Sequence, residues 1–493
     1  MTLVLGVDLS TQACTAEVRD AASFAVVGTA REPLAPTAPP VSEQRAGDWW
    51  EALRRCTASL RAQGVELGDI AAVSVAGQCH GLVPLDGAGE AIRPVKLWND
   101  TTSSPQTSRL LDRVGREEFA RRVGSVPTAA FTIGKLAWLL EEEPETIARL
   151  ARVVLPHDYL TYRLTGEFAT DRSEASGTGY FDAVRMRYDH DLLRECFGSA
   201  LAWEGLFPEV RGPSETAGQV TRDAAEALGL RSGIPVAVGG GDQHVAALGL
   251  GIRERDVAFS LGTSGVVFAS SARPVMDPSG WVDGVANAVG GWLPLVCTLN
   301  ATKVTDWMAR LLGVDVVGLG ELALSAGAGS GPILAAYLDG ERSPSLPDAR
   351  ALLCGIVGAD TRETVARAAF QGVLMGLMRG RDAIADCGVP VDGRVIAVGG
   401  GARSAAYTQL LADLIGGVVS VIDEPEATAR GACVQALAVL ERRDVAETGR
   451  LLAPAVEIAA APRVDRAQWE GLRAGYERAC RAAAETSAAD VVA

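Results

Sequence analysis

A short apolar run that breaks into a polar turn and returns as a second run occurs twice in this chain. No other feature limits the fold as strongly. Residues 3–7 end in Asp8, pass Ser10-Thr11-Gln12, and are followed by a second run over about 15–19 and a third near 24–28. Residues 257–261 run into Gly262-Thr263-Ser264-Gly265 and return over 266–269. Short strands with tight connections predict an antiparallel meander at the start of a sheet. Three further runs empty into glycine or polar residues: 70–76 into Gly77-Gln78, 235–238 into Gly239-Gly240-Gly241-Asp242, and 395–398 into Gly399-Gly400-Gly401-Ala402-Arg403-Ser404. The pattern reads as two related halves, each a mixed sheet covered by helices, and its period is far too long for a solenoid. The 493 residues are also too many for one core. The expected fold class is therefore α/β with two domains, 1–245 and 246–493. The boundary is set so that Asp242, at a strand end, faces the cleft between them.

Helices fill the intervals. Asp48 with Glu51 three residues later resembles a capping box for a helix over 49–62. Val365, Ala369, Val373, Gly376 and Leu377 at helical spacing predict another over 361–386. Residues 33–40 are proline-rich and expected to be an exposed connection, and 482–493 a frayed tail. Trp49-Trp50 reads as core. A net charge of -15 argues against a surface that tracks nucleic-acid phosphates. The same charge repels a nucleotide at long range, so a nucleotide site has to be built locally from N–H groups, helix ends and a metal. Nine scattered cysteines with no C-x-x-C pair point to free thiols in a reducing compartment, hence the cytoplasm. The N-terminus reads as a strand, not a signal peptide, and no charge-free apolar stretch is long enough to span a bilayer.

Six motifs carry candidate chemistry. Asp8 beside Ser10-Thr11-Gln12 offers N–H groups and hydroxyls to phosphate, with a carboxylate able to hold magnesium or its waters. Alone, such a motif is more often a turn held by its own side chains. Gly262-Thr263-Ser264-Gly265 is a second phosphate candidate, its plain alternative an ordinary glycine hairpin. Two such turns at equivalent places strengthen each other. A cleft with one phosphate-gripping hairpin on each wall resembles the actin-like ATPase superfamily. At Gly399-Gly400-Gly401-Ala402, a base or phosphate lying against the backbone and tight strand-to-helix packing explain the glycines equally well. Asp242, after three glycines, can accept a proton from a substrate hydroxyl or cap a helix, the cap being the commoner role locally. Gln78-Cys79-His80 and Trp98-Asn99-Asp100 supply polar groups and an aromatic face that suit a sugar. A loop histidine and a half-buried tryptophan are the plain alternatives.

These motifs, together with Ser42-Glu43-Gln44, Asp48-Trp49-Trp50, Leu155-Pro156-His157-Asp158, Leu164-Thr165-Gly166-Glu167 and segments 171–179 and 337–344, resemble the FGGY carbohydrate kinases. The resemblance runs over about residues 5–440 and is nearest to members that act on xylulose. It implies two ribonuclease-H-like domains around a deep cleft, with ATP and Mg2+ as cofactors and a small sugar as partner. The implied activity is transfer of the terminal phosphate of ATP to D-xylulose in pentose catabolism. It puts Asp242 at the proton acceptor, ahead of the cap role, and Asp8 at the carboxylate that organises magnesium and phosphate. The sugar-side candidates are Gln78, Cys79, His80, Trp98, Asp242 and Gln243. The nucleotide-side candidates are Thr11, Gln12, Gly262, Thr263, Ser264, Gly400, Gly401 and Ala402. A kinase of another ketose or polyol, such as ribulose or glycerol, and a non-catalytic actin-like ATP switch are the alternatives. Neither nucleic acid nor a membrane is an expected partner; a homodimer is compatible with the resemblance.

The sequence departs from the pattern at named places. Thr15 stands where lysine is usual, Thr102 where arginine often follows, Gln243-His244 where Asn-Ala is usual, and Thr364 where an acidic or amide residue is usual. With threonine at 15, the expectation is that ATP is held weakly unless Arg403 or Lys303 reaches the phosphates.

Overall fold

The computed structural model describes residues 1–327, 331–464 and 467–485, and its two main sheets share one plan. The first is built from β1 (Leu3–Leu9), β2 (Ala13–Asp20), β3 (Val26–Pro33), β4 (Ile70–Gly77), β5 (Thr216–Gln219) and β6 (Pro235–Ala237), in the order β3-β2-β1-β4-β6-β5. Strands β1 to β3 form an antiparallel meander, β4 and β6 run parallel to β1, and β5 closes the edge antiparallel. The second contains β7 (Val257–Leu261), β8 (Gly265–Ala269), β9 (Leu295–Thr298), β10 (Val395–Val398), β11 (Val419–Val421) and β12 (Glu457–Ala460), in the order β9-β8-β7-β10-β11-β12. It repeats the sequence of senses: meander, two parallel strands, antiparallel edge. This is the doubled ribonuclease-H-like arrangement of the actin-like fold. One difference separates the halves: the closing strand precedes its neighbour in the first and follows it in the second.

Burial explains why the strands read as they do. β1 and β2 are covered on both faces; β1 is a nearly continuous apolar run, β2 buries Thr15, Glu17 and Arg19 among its apolar residues, and β3 at the edge is half exposed. The third strand starts later than the 24–28 expected from the sequence. Asp20 Oδ1 accepts from the N–H groups of Ala22 and Ser23, so the connection is a longer side-chain-held turn, with Phe24 at φ 57°. The proline-rich connection is exposed, as expected.

The helices that matter for the site are α1 (Ala46–Ala62), α2 (Pro156–Thr165), α3 (Asp242–Gly249), α4 (Arg362–Asp386), α5 (Ala405–Ile415), α6 (Ala427–Glu441) and α7 (Ala467–Glu485). α1 begins before Asp48, which lies exposed inside the first turn, and Glu51 pairs with Arg54 at 2.8 Å, so neither forms the expected capping box. Trp49 and Trp50 are core, as read from the sequence. The frayed tail is also corrected: α7 continues through Ala482 to Glu485 because Cys480 and Ala483 are buried; residues 486–493 lie outside the described residues. The boundary drawn at 245/246 falls inside α3. No helix among the described residues is long and apolar enough to cross a membrane.

α6 belongs to the second half by sequence and to the first sheet by packing. A Cβ on Gly6 of β1 would stand 2.2 Å from the Ala429 carbonyl and 2.7 Å from the Cys433 nitrogen. One on Gly431 would stand 2.0 Å from the Val245 carbonyl of α3. Helix and sheet touch backbone to backbone, and only glycine allows it. Gly6→Ala should therefore overpack this contact at a cost of about 1–3 kcal/mol. The variant is expected to melt several degrees lower in a thermal denaturation scan; an unchanged melting temperature would show that α6 yields freely.

Candidate active site

The ends of β1, β4 and the Gly239–Asp242 turn converge, because parallel strands deliver their C-terminal ends to one edge of the sheet. After β1 the chain reverses through Ser10, whose N–H donates to the Ala13 carbonyl at 2.9 Å. Thr11 is the hub of this turn. Its hydroxyl donates to Gln78 Oε1 and accepts from the Trp98 indole N–H, both at 2.9 Å. Its carbonyl accepts from Gln44 Nε2 at 2.8 Å, and Gln44 in turn accepts from Trp49 Nε1 at 2.9 Å. Thr11, expected on the nucleotide side, is thus bonded to two residues expected on the sugar side. Gln78 is buried with its carbonyl occupied, while Trp98 is half-buried and Gln12 exposed.

Asp8 lies near the end of β1 with Thr15 opposite it on β2, and Arg31 opposite Thr15 on β3. Its Oδ1 is buried without a hydrogen-bond partner. Burial first, then the charges of Asp242 and Glu426, push its carboxyl up to about 8, against the lowering effect of Arg31.

Asp242 reaches the same edge by a different route. Gly239, at φ 82°, presses on β4 so closely that a Cβ would lie 2.1 Å from the Val75 carbonyl. Gln435 of α6 donates from Nε2 to the Gly239 carbonyl at 2.9 Å and accepts from Ser74 of β4 at 2.8 Å, locking the turn. Gly241 occupies the cap position of α3 and Asp242 is its first residue, so the carboxylate is not the cap. Asp242 Oδ1 accepts from the Gln243 N–H at 2.7 Å and from the Cys79 thiol at 3.5 Å. Burial pushes its carboxyl up to about 6, against those two donors. Gln243 is half-buried beside it.

Behind this carboxylate is a layer of buried polar side chains. His80 takes a left-handed backbone, φ 67°, and stacks on Phe131 with ring centroids 4.9 Å apart. That conformation is costly for a non-glycine residue and marks a site the surroundings hold in place. Its N–H donates to Glu174 Oε1 at 2.7 Å, and burial holds its ring neutral. Asp171 caps the short helix Arg172–Ser176 and so aims Glu174 at the site. A Cβ on Gly241 would meet Cys79 Sγ and His244 Nδ1 at 2.7 Å and Glu174 Oε2 at 2.9 Å. Burial pushes Glu174 well above the carboxylate range and holds His244 down to about 4. Asp100 is buried against the Ser42 N–H at 2.9 Å, and Lys96 bonds Thr102 at 2.7 Å and Glu43 at 3.0 Å. Thr102, where arginine was expected, is thus bonded to the buried Lys96.

On the second half, Gly262, Thr263 and Ser264 form the tip between β7 and β8. The Gly262 and Thr263 carbonyls accept from the N–H groups of Thr302 and Ala301 at 2.9 and 3.2 Å, fixing the tip to the start of the helix Thr302–Leu312. Thr263 is exposed. Gly401 packs tightly, a Cβ there meeting Leu261 at 2.8 Å, whereas Gly400 faces open space and Ala402 is half-buried. Tight packing thus accounts for Gly401, and Gly400 has room over its backbone for a ligand. Sequence reasoning assigned no role to Glu174, Gln44 or Gln435. The first two lie in segments matched to the family, so a signal existed; Gln435, mid-helix and polar among apolar neighbours, gave none.

Comparison with known proteins identifies the family. Residues 3–249 match the N-terminal domain of the FGGY family of carbohydrate kinases, and 257–440 its C-terminal domain. The chain belongs to that family. A xylulose kinase from Streptomyces rubiginosus is 43% identical over 91% of this chain and 90% of its own length. One from Streptomyces coelicolor is 42% identical over 91% and 90%. The crystal structure of a xylulose kinase from Bifidobacterium adolescentis superposes with a TM-score of 0.83 at 34% identity, covering 97% of this chain and 99% of that one.

The crowding at Gly241 gives a direct test of the site. Gly241→Ala forces Cys79, His244 or Glu174 to move, and its three nearest contacts are all side chains of this layer, not backbone of the sheet. We expect kinase activity to fall at least tenfold, the scale at which small misplacements act, with the melting temperature within a few degrees of wild type. Full activity would mean that the buried layer does not hold Asp242 in place.

Proposed function

We propose that this chain transfers the terminal phosphate of ATP to the C5 hydroxyl of D-xylulose, giving ADP and D-xylulose 5-phosphate. The observation that carries the proposal is Asp242, half-buried at the convergence of the strand ends, with both donors on one carboxylate oxygen. That leaves Oδ2 to take the hydroxyl proton as the sugar oxygen bonds to phosphorus and the bridging oxygen leaves with ADP. The burial that raises Asp242 toward neutrality makes it a better base while keeping it ionised at physiological pH. His80, neutral and fixed by Glu174 and Phe131, and the half-buried Trp98 orient the sugar. Thr11 links the first hairpin to Gln78 and Trp98, so nucleotide and sugar sites are registered through one hydroxyl. Gly262, Thr263, Ser264 and Gly400 would line the nucleotide from the other wall, and closure of the halves would exclude water.

The orphaned Oδ1 of Asp8, with Asp242 and Glu426 nearby, fits a divalent cation held by one carboxylate and otherwise by waters and phosphate oxygens. Magnesium bound there would neutralise charge on the phosphates. Named relatives acting on xylulose at 43% identity support the sugar, and the largely half-buried sugar-side constellation weighs against a pure ATP switch. The free thiols and the reaction proposed fit the cytoplasm.

Three outcomes are expected. Asp242→Asn should lose roughly 10²–10⁴ in kcat while ATP and xylulose still bind by calorimetry; near-normal turnover would remove Asp242 as base. In wild type, kcat/KM should rise with pH through an apparent pKa near 6, because only the carboxylate form accepts a proton, and should fall away below it. A profile flat from pH 5 to 8 would contradict this. Across a sugar panel, xylulose should have a higher specificity constant than ribulose or glycerol, and the reverse order would sink the substrate assignment.

A further inference from the structure

The structure holds a cation that the first hairpin was expected to lack. Asp8, Thr15 and Arg31 are cross-strand neighbours on β1, β2 and β3, so their side chains share one face. It is the face that Gly6 presents to α6, and it ends at Glu426, which precedes that helix. Adjacent strands lie about 4.8 Å apart, so Arg31 starts roughly two strand spacings from Asp8, within reach of a guanidinium that lies over a small residue between them. Thr15 is that small residue. It is 1% exposed, and its hydroxyl oxygen is buried with no partner. A lysine at this place would fill the path.

The other cations of this neighbourhood are engaged. Arg19 bonds Glu17 at 2.6 Å and Glu424 at 2.9 Å, and Arg430 bonds Glu424 at 3.0 Å. Lys303, on the far wall, bonds Asp339 at 3.2 Å, and Arg403 lies beyond the glycine turn of the second half. Arg31 is exposed and forms no ion pair among the described residues, yet its charge is felt at both Asp8 and Glu426. An unpaired guanidinium, an unpartnered buried hydroxyl and an unpartnered carboxylate oxygen thus line one row that ends beside Asp242.

We infer that Arg31, with Thr15 beneath it, is the phosphate-binding cation of the first hairpin and grips the terminal phosphates of ATP from β3. The inference rests on the kinase reading above. It replaces the expectation of weak ATP binding: the charge has moved one strand outward. The guanidinium binds and positions, and leaves the proton transfer to Asp242.

The test is calorimetric binding of ATP and of AMP to the full-length protein in magnesium buffer, without sugar. The variants are Arg31→Gln and Arg31→Gln combined with Thr15→Lys. Arg31→Gln should weaken ATP by roughly 5- to 30-fold, the difference between a charged and a neutral hydrogen bond, and leave AMP unchanged. Adding Thr15→Lys should recover most of the loss, and KM for xylulose should stay nearly constant throughout. Unchanged ATP affinity in Arg31→Gln would overturn the inference. So would equal weakening of ATP and AMP, or a loss that Thr15→Lys does not recover, since both describe a structural role. If wild type binds no ATP, the kinase reading itself fails, and this inference with it.

Discussion

Gln435 holds the molecule's chemistry in place. One side-chain amide, on a helix laid down late in the sequence, accepts from Ser74 in the middle strand of the first sheet and donates to the carbonyl of Gly239. Between these two bonds the Gly239 turn is pressed so closely on β4 that no side chain fits. The direction in which Asp242 leaves the strand follows from that pressure. A buried amide with both ends satisfied is worth a modest net amount, but leaving either end unpaired is costly. The turn and the helix therefore define one another's position.

The second governing fact is the gathering of carboxylates without matching cations. Asp8, Asp242, Glu174 and Glu426 all have raised affinities for protons, each with burial as the leading cause. In a protein of net charge -15 this concentrates negative potential at the strand ends where the proposed reaction brings the phosphates. In the proposed reading, a divalent ion at Asp8 and the guanidinium of Arg31 along the row would supply the opposing positive charge. Glu174 differs from the others. Its N–H partner and deep burial make it a structural acid that props His80 in its strained backbone, and it is not a group exposed to the reaction.

Much of this was legible in the sequence. The doubled meander, the polar strand ends and the long helix α4 follow from apolar periodicity and glycine placement, and the meander and strand ends recur in both sheets. Asp8, Cys79, His80 and Asp242 were marked by where their strands stop. What periodicity could not show was register. That Arg31 lies level with Asp8 depends on a turn held by Asp20, which moved the third strand several residues along the chain. That Thr11 ties itself to Trp98 depends on two loops far apart in sequence meeting over β1. The start of α1 was misplaced for a local reason: Asp48 and Glu51 have the spacing of a cap, but Trp49 and Trp50 are drawn into the core by Tyr159 and Arg163 of α2, and the helix extends backward to seat them.

The seat of α6 on Gly6 bears on how the polypeptide comes off the ribosome. The first sheet is synthesised early, yet the element that covers one of its faces appears only after the whole second sheet except its edge strand. Until then β1 and β4 present a bare apolar surface with a glycine channel awaiting an occupant, the kind of exposed intermediate that favours misassociation. A sequence pattern of two related halves thus yields a first half whose packing is finished only when most of the second has been made.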